Sequence, residues 1–543
     1  MPAGQRPVDQ TAHGLGAALT LRGPGVSAMI RETTQEHPLM SVTTITALLE
    51  AGTADADAIR APEGRAALNY AALRAQVAET GAWLNAHGIG RQDRVAIVLP
   101  NGPEMATAFL AIGAHATTAP LNPGYRAEEF EFYIADLKAR ALVVAAGHET
   151  PARDAAARLG VPVLELTPGT QAGAFTLAGG TAGTAALPGP AEPGDIALVL
   201  HTSGTTARPK IVPLTQANIA ASARHIGATL ALTSSDACLN VMPLFHIHGL
   251  IAAVLSSVAA GGAVVCTPGF DALKFFRFLD EEVPSWYTAV PTMHQTILAR
   301  APRNAEVIER RPLRFIRSSS ASLPGPVMRQ LEEVFGCPLV ESYGMTEAAH
   351  QMASNPLAGP RKPGLVGIAA GPELGIMADD GTLLPQGEIG EVVIRGPNVT
   401  LGYEANPEAN TKAFTDGWFR TGDQGLLDAD GFLLLTGRLK ELINRGGEKV
   451  SPLEVDGILS DHPGVAQCLT FAIPHDKLGE EVGAAVVLRE GHAPTERELR
   501  DFAALHLADF KVPRKIVFLA EIPKGATGKL MRIGLAEKLG VTA

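Results

Sequence analysis

Short, uninterrupted apolar runs alternate with amphipathic stretches along most of this chain, and they limit the possible fold more than any other feature. Arg94 to Leu99 reads RVAIVL and predicts a buried strand, and Pro103 to His115 predicts the helix that follows it. Ala141 to Ala145 and Val161 to Leu166 repeat the strand pattern. Strands without a polar face that are separated by helices are typical of parallel sheets covered on both sides. We therefore predict an α/β fold.

The length of 543 residues exceeds what one hydrophobic core usually serves, so two or three domains are expected. Residues 1–39 are interpreted as a disordered tail, or as residues upstream of a start at Met40, with a transit peptide as a further alternative. A change to glycine and charge near Gly437 predicts a boundary between a domain over 40–437 and a small α/β domain over 438–543. The Gly/Ala/Thr/Pro-rich stretch from Pro168 to Gly194 predicts a surface loop or linker.

Composition and charge exclude several classes of protein. Hydrophobic residues make up 46% of the chain and charged residues 19%, as in ordinary globular proteins, and a formal net charge of -11 argues against a nucleic-acid partner. The four cysteines show neither metal-ligand spacing nor a disulfide pattern, so a reducing, cytoplasmic location is expected. The uncharged stretch Gly249 to Cys266 is split by Gly261-Gly262 and predicts a buried helix and strand rather than a membrane span.

A segment rich in hydroxyl groups, HTSGTTARPK, follows the predicted strand Ile196 to Leu200. The N–H and O–H groups of such a loop can surround phosphate oxygens, and a lysine can add positive charge to the same anion. A simple polar turn is the alternative interpretation. The candidate phosphate-binding residues are Thr202, Ser203, Gly204, Thr205, Thr206 and Lys210.

The segment ESYGMTE, from Glu341 to Glu347, offers a second set of candidate ligands. Tyr343 could stack on a purine and Thr346 could contact a phosphate. Glu347 could hold Mg²⁺, because that ion prefers carboxylate and phosphate oxygens. The alternative is that a glutamate after a strand only caps a helix.

Two further segments place charged groups on glycine-rich turns. In GWFRTGD the carboxylate of Asp423 can accept hydrogen bonds from two ribose hydroxyls, and Arg438 can pair with a phosphate. In PKGATGK the two glycines before Lys529 suit a mobile loop that carries this cation into a site. The alternatives are a surface ion pair for the first segment and a basic surface tail for the second.

The order and spacing of these segments resemble the adenylate-forming superfamily from about Ile45 to the end of the chain. This superfamily contains acyl-CoA synthetases, the adenylation domains of peptide synthetases and firefly luciferase. The resemblance implies a large N-terminal domain of stacked, mostly parallel sheets and a small, mobile C-terminal α/β domain joined by a hinge. Ala207 and Ile211 depart from the family pattern, which usually has glycine at both positions, and they reduce the freedom of the loop.

The resemblance also implies an activity and its cofactors, namely ATP, Mg²⁺ and coenzyme A. A carboxylate attacks the α-phosphate of ATP, and the acyl group then passes from the adenylate to a thiol. Glu347 would hold Mg²⁺, Asp423 the ribose and Arg438 the ribose or a phosphate. Lys529 would bridge the carboxylate and the nucleotide, and the small domain would rotate about Lys440 between the two half-reactions. Further nucleotide- or coenzyme A-binding residues implied by the match are Ser320, Ala321, Glu341, Ser342, Tyr343, Gly344, Met345, Gly446, Gly447, Glu448 and Lys449.

Several phrases, among them PLFHIHGL, WYTAVPTMHQ, RFIRSSSASL and GPNVTLGY, resemble one subgroup of this superfamily, the oxalate–CoA ligases of plants and fungi. By the same match, His246 would orient the reacting carboxylate, and it joins Lys529 and Thr346 as a predicted catalytic residue. His248 is interpreted either as part of the pocket or as a packed core residue.

Oxalate is the predicted acid because hydroxyl donors suit a second carboxylate, whereas an unpaired buried hydroxyl is unfavourable beside a long alkyl chain. Arg317 could add charge, unless it forms a structural ion pair. The predicted substrate-binding residues are His246, Ser318, Ser319, Ser320 and His350.

Alternatives to an oxalate–CoA ligase remain at this point. The chief one is the ligation of another short or medium-chain acid. A module that loads a carrier protein, a luciferase-like oxygenase and a non-catalytic ATP-binding protein are the others. The retention of Lys529 and Glu347 argues against the last of these. The chain is expected to act as a monomer or homodimer on small-molecule partners.

Overall fold

Strands and helices alternate along most of the chain, as the apolar runs predict. The computed structural model describes residues 42–202, 209–524 and 530–542. In chain order the strands are β1 Asp57–Arg60, β2 Leu68–Asn69, β3 Arg94–Val98, β4 Thr117–Pro120, β5 Ala141–Ala145, β6 Val163–Pro168, β7 Phe175–Gly179, β8 Ile196–His201, β9 Ile211–Thr215, β10 Ala237–Asn240, β11 Ala263–Cys266, β12 Trp286–Ala289, β13 Phe315–Ser319, β14 Leu339–Met345, β15 His350–Ser354, β16 Ile368–Ala369, β17 Glu373–Met377, β18 Leu383–Leu384, β19 Gly390–Arg395, β20 Phe414–Thr415, β21 Trp418–Leu427, β22 Leu433–Arg438, β23 Ile443–Arg445, β24 Glu448–Val450, β25 Val465–His475, β26 Gly479–Leu488 and β27 Lys515–Phe518.

Helices connect or cover these strands, and several begin at a side chain that accepts a hydrogen bond from the first turn, such as Thr215 before the helix that starts at Gln216. The α-helices are α1 Ile45–Leu48, α2 Tyr70–Ala86, α3 Pro103–Gly113, α4 Ala127–Asp136, α5 Pro151–Leu159, α6 Gln216–Thr229, α7 Ser256–Ala259, α8 Phe275–Glu282, α9 Pro291–Arg300, α10 Ala305–Arg310, α11 Gly325–Phe335, α12 Pro407–Ala413, α13 Pro452–Ser460, α14 Glu496–Ala504 and α15 Leu535–Leu539.

Two large, mostly parallel sheets form the first part of the fold. One has the strand order β7-β6-β5-β3-β4-β8-β9, and the other has the order β16-β15-β14-β13-β12-β10-β11-β1-β2. Side chains of both sheets and of the almost completely buried helix α3 share one apolar core. This arrangement confirms the predicted α/β class of stacked, mostly parallel sheets covered by helices.

Two smaller sheets follow. Strands β17 to β22 form an antiparallel sheet in the order β18-β17-β19-β21-β20, with β22 paired to β21. Strands β23 to β27 form the last sheet in the order β24-β23-β26-β25, with β27 parallel to β26. Apolar clusters of its own pack on this last sheet. The predicted boundaries after residues 39 and 437 stay predictions.

Two segments differ in detail from the sequence analysis. The stretch predicted as a loop or linker contains β7, which pairs antiparallel with β6 and places Phe175 in the main core. The uncharged stretch ending at Cys266 forms a buried helix and a buried strand, as predicted, but its first part, His248–Leu255, is a π-helix. Within the described ranges, no helix is both long enough and apolar enough to cross a membrane.

The chain is strained where β13 and β14 end. Because these neighbouring strands are parallel, their carboxyl ends lie at the same edge of the sheet. Ser320, Ala349 and His350 have φ angles of 74°, 47° and 104°, a region that side chains with a Cβ rarely adopt. A Cβ on Gly344 would lie 1.9 Å from the His350 carbonyl oxygen, so only glycine fits there. Such strain concentrates at functional sites.

Candidate functional site

The predicted phosphate-binding segment connects the antiparallel strands β8 and β9. The Thr202 N–H donates to the Lys210 carbonyl oxygen at 2.9 Å, which closes the base of the connection. Ser203, Gly204, Thr205 and Thr206 lie outside the described residues. The Lys210 ammonium lies 4.1 Å from the centre of the Tyr403 ring. Burial lowers the pKa of Lys210, and the Glu347 carboxylate opposes that effect.

Glu347, the predicted metal ligand, is buried at the end of the ESYGMTE segment, one residue into the short 3₁₀ turn Thr346–Ala348. Its Oε1 atom accepts a hydrogen bond from the Tyr403 hydroxyl at 2.8 Å. Burial raises the pKa of Glu347, while Tyr403, Arg438 and Lys210 favour the charged form. The sequence analysis did not predict a role for Tyr403, although it lies at the end of the quoted phrase GPNVTLGY.

Within the described residues, no group of three or more His, Cys, Asp or Glu side chains could hold a metal by itself. Mg²⁺ nevertheless fits this site, because it commonly uses one or two carboxylates together with substrate phosphates. Glu347 is a buried carboxylate within electrostatic range of Lys210, the lysine predicted to bind phosphate, and this meets that requirement.

The predicted ribose-binding pair is assembled by strand pairing, because Asp423 of β21 lies opposite Arg438 of β22. The Arg438 Nε atom lies 2.9 Å from Asp423 Oδ1, and the Tyr343 hydroxyl donates to the same carboxylate. Asp423 raises the pKa of Arg438. Tyr343 and Arg438 therefore occupy acceptor oxygens that the prediction assigns to ribose hydroxyls, and a nucleotide must share or replace these bonds.

Glu341 brings an ionisable group into the sheet. Its Oε1 atom accepts the Leu323 N–H at 2.9 Å, whereas Oε2 is buried without a hydrogen-bond partner in the described part of the chain. Burial raises the pKa of Glu341 to about 8. The neighbouring Ser342 hydroxyl lies 2.9 Å from that of Ser354, and Ala321 is exposed.

Three of the segments predicted to line the acyl pocket meet at His248. His248 is fully buried, with Nδ1 2.9 Å from the Ser320 hydroxyl and Nε2 2.6 Å from the Thr288 hydroxyl. Its ring centre lies 5.0 Å from that of His350. His246 is half-buried, and its Nδ1 atom accepts the His248 backbone N–H at 3.3 Å.

Arg317 lies next to the buried side chains of His248 and His350 and is itself completely buried. Its Nη1 atom lies 3.4 Å from His248 Nε2, and its Nη2 atom lies 3.5 Å from His350 Nδ1 and 3.4 Å from Gln351 Oε1. Its Nε atom has no hydrogen-bond partner, and no carboxylate among the described residues pairs with it. Burial lowers the pKa of Arg317 to about 9. The structural ion pair considered in the sequence analysis is therefore absent from the described residues.

The three serines have different environments because side chains alternate along β13. Ser318 points to the face opposite Arg317, and its buried hydroxyl has no partner in the described residues. Ser319 donates to the Ser342 carbonyl oxygen at 2.7 Å. Ser320 follows the strand and is the serine of the three that contacts His248.

The other predicted residues lie towards the C-terminus. Lys440 is exposed after β22 and lies within electrostatic range of Lys210. Gly446 and Gly447, with φ angles of 62° and 98°, form the turn between β23 and β24, and Glu448 and Lys449 are exposed beside them. Lys529 lies outside the described residues.

Comparison with known families now identifies the class of protein. A model of the AMP-binding enzyme family matches residues 49–404, and a model of the AMP-binding enzyme C-terminal domain matches residues 454–529. The chain belongs to the AMP-binding enzyme family. The superfamily indicated by the sequence motifs is thereby confirmed.

Several relatives match most of the chain. A probable CoA ligase of Humulus lupulus is 46% identical, over 91% of this chain and 96% of that protein. Oxalate–CoA ligases of Arabidopsis thaliana and Saccharomyces cerevisiae are 48% and 43% identical, each over 82% of this chain and over 88% and 87% of those proteins. The crystal structure of ATP-bound MatB from Rhodopseudomonas palustris is 30% identical with a TM-score of 0.82, covering 91% of this chain and 98% of that one.

Replacing Glu341 with Gln tests the buried carboxyl. In the folded protein this group stays protonated up to a pKa of about 8, whereas the ordinary value is 4.5. The unfolded chain therefore releases its proton first, and wild type loses stability as pH rises between these values. We expect the free energy of unfolding of Glu341→Gln to rise relative to that of wild type across this window, by up to about 1.4 kcal/mol per pH unit. Melting temperatures of both proteins from pH 5 to 9 measure the difference.

The exposed Glu333→Gln variant is the matched control and should follow wild type at every pH. Parallel melting profiles for Glu341→Gln and wild type would show that Glu341 is ionised in the folded protein.

Proposed function

We propose that this chain, an AMP-forming acid–thiol ligase, uses ATP to join oxalate to coenzyme A through an oxalyl-adenylate. The observation that carries the choice of acid is the buried guanidinium of Arg317 behind His248, His350 and Ser320. The oxalate–CoA ligases among its relatives support the same acid.

A buried cation without a counterion is unfavourable, because burial removes its hydration and leaves no opposite charge. Among the described residues, the side chains around Arg317 are neutral or basic: His248, His350 and Gln351. An anion that enters this site supplies the missing charge. A monocarboxylate gives up its only charge to adenylate formation, whereas oxalate keeps a second carboxylate for the Arg317 cluster.

Ser320 is the group best placed to meet that second carboxylate. Because the guanidinium can only donate, we assign His248 Nε2 as the acceptor from Arg317 and from the Thr288 hydroxyl, and this tautomer leaves His248 Nδ1–H to donate to the Ser320 oxygen. The hydroxyl hydrogen of Ser320 then remains for a substrate oxygen. Its left-handed backbone holds the side chain in this position.

The first half-reaction brings anions together, so the cationic groups of the site do most of the work. A carboxylate oxygen bonds to the α-phosphorus of ATP, and the bond from that phosphorus to pyrophosphate breaks. Thr202 and Lys210 would contact the leaving phosphates, and Asp423 and Arg438 would bind the ribose end. Mg²⁺ held by Glu347 would supply charge neutralisation to the phosphates.

The second half-reaction needs a different arrangement of the C-terminal sheet. The sulfur of coenzyme A bonds to the acyl carbon, the carbon–oxygen bond to AMP breaks, and the thiol proton is released. Lys529 would act in adenylate formation. Rotation of the small domain about Lys440 would then withdraw Lys529 and bring the Gly446–Lys449 turn to the site, where it would line the entry of the thiol. Gly446 and Gly447 have the left-handed geometry that allows such a turn to pass close to a ligand.

Pyrophosphate release from ATP with a panel of acids tests the proposed function. Oxalate, malonate, acetate, butyrate, octanoate and a hydroxycinnamate are each supplied with and without coenzyme A. We expect the highest kcat/KM with oxalate, with oxalyl-CoA and AMP as products. Faster turnover of octanoate or butyrate would refute oxalate and retain the ligase class.

The Arg317→Met variant separates the substrate role of the cation from a structural one. Replacing an unpaired buried charge with an apolar chain of similar volume is often neutral or stabilising, so the variant should fold. Loss of a buried charged partner typically costs about 2–5 kcal/mol, so kcat/KM for oxalate should fall at least about 30-fold. Turnover of acetate should change little, and steady-state kinetics with both acids give the ratio.

Arg314→Met is the matched control, since this arginine of the same region pairs with Asp236 and stacks on Phe315. It should lower the melting temperature without changing the ratio of oxalate to acetate. An unchanged ratio in Arg317→Met would remove Arg317 from substrate selection.

The Lys529→Ala variant tests the assignment of two conformations. It should abolish adenylate formation and spare thioester formation from supplied acyl-adenylate, because its charge serves the first half-reaction alone. Pyrophosphate release and thioester formation are measured separately. Lys524→Ala is the control, because Lys524 forms an exposed ion pair with Glu521. Equal loss of both half-reactions in Lys529→Ala would contradict the assignment.

A further inference from the structure

The Tyr403 side chain lies between two charges of the nucleotide site. Its hydroxyl donates to Glu347 Oε1 at 2.8 Å, and its ring faces the Lys210 ammonium at 4.1 Å from the ring centre. Glu347 and Lys210 are close enough to influence each other's pKa, yet these two described residues form no ion pair. Tyr403 therefore provides a favourable contact for both Glu347 and Lys210, and both groups keep their charge.

The backbone on both sides of Tyr403 fixes this position. The Tyr403 N–H donates to Asn410 Oδ1 at 2.7 Å, and the Asn410 amide donates back to the Tyr403 carbonyl at 2.9 Å. The Thr400 N–H donates to the Glu347 carbonyl oxygen at 2.7 Å. Asn398 donates to the carbonyl oxygens of Ala348 and Gln351 at 2.8 Å and 3.0 Å. The segment that carries Tyr403 is therefore bonded directly to the turn that carries Glu347.

The alternative arrangement is a direct ion pair between Lys210 and Glu347. Such a pair would be attractive in a partly buried site, since opposite charges attract more strongly there than in water. It would also occupy the cation needed for phosphate and the carboxylate needed for a metal. A phenol resolves this conflict, because a neutral hydroxyl can donate to the carboxylate while an aromatic face attracts the ammonium.

We propose that Tyr403 is a positioning residue that holds Glu347 ready for a divalent cation and keeps Lys210 from pairing with it before nucleotide binds. This role goes beyond the proposed choice of acid and depends only on the nucleotide site. Groups that orient a metal-binding carboxylate commonly contribute 10- to 100-fold to metal affinity.

Two substitutions separate the hydroxyl from the ring. Tyr403→Phe keeps the ring beneath Lys210 and removes the donor to Glu347. We expect it to weaken the binding of Mn²⁺ about 10-fold in the presence of a non-hydrolysable ATP analogue, while the affinity for the analogue without metal stays unchanged. Tyr403→Leu also removes the ring, so Lys210 pairs with Glu347 and affinity for the analogue falls as well. Electron paramagnetic resonance of free Mn²⁺ and calorimetry with the analogue measure the two affinities.

Tyr70→Phe is the matched control for a lost buried hydroxyl. Tyr70 donates to the carbonyl oxygens of Val258 and Gly262 in the core, so this variant should lower the melting temperature and leave Mn²⁺ binding unchanged. Unaltered Mn²⁺ binding in Tyr403→Phe, or equal effects of Phe and Leu at residue 403, would overturn the proposal. No acid is present in these experiments, so failure of the oxalate assignment leaves their outcome unaffected.

Discussion

The guanidinium of Arg317 is completely buried, and no carboxylate in the described residues neutralises it. Around it the chain gathers ring nitrogens and an amide oxygen, which can accept hydrogen bonds but carry no negative charge. A buried arginine without a counterion lowers the stability of the fold, because the lost hydration is not compensated until an anion binds. Under the proposed function, a site that lacks a counterion in this way would favour a substrate with an additional negative charge, and the choice of acid would depend on this constraint.

The backbone around Arg317 also adopts unfavourable conformations. Ser320, directly after β13, and His350, at the start of β15, both have positive φ angles, and these conformations bring their side chains to His248 and Arg317. Gly344 accommodates the His350 carbonyl, where any Cβ would collide. The same sheet edge carries Glu347 through the short turn after β14. Strain and missing charge therefore occur together at the place where the acid and the nucleotide would meet.

The sequence predicted the parts of the molecule that depend on local pattern. Apolar runs identified strands such as β3 and β5, and the order of polar motifs identified the family. The register of β21 against β22, which joins Asp423 to Arg438, follows from tertiary pairing, but family resemblance had already associated these residues with the nucleotide. By contrast, β7 was missed because the glycine- and alanine-rich residues around it predict a loop. Its pairing with β6 outweighs this local preference.

The environment of the residues predicted to form the acyl pocket was the part least accessible from sequence. A lone arginine in a strand is as compatible with a buried ion pair as with a buried cation that has no carboxylate partner, and only its surroundings distinguish the two. Three consecutive serines look equivalent in sequence, yet strand alternation turns Ser318 away and leaves Ser320 at His248. Tyr403 showed no signal of its own, because its role arises from residues Lys210 and Glu347, far away in the chain.

A comparison of oxalate with oxamate, its monoamide, tests the central claim most directly. The two acids have nearly the same size and shape, but oxamate lacks the second negative charge. If the unpaired guanidinium of Arg317 selects the substrate, kcat/KM for oxalate should exceed that for oxamate by about 100-fold, as expected for a charged partner lost from a buried site. Equal values for the two acids would contradict the account and show that the pocket recognises shape alone.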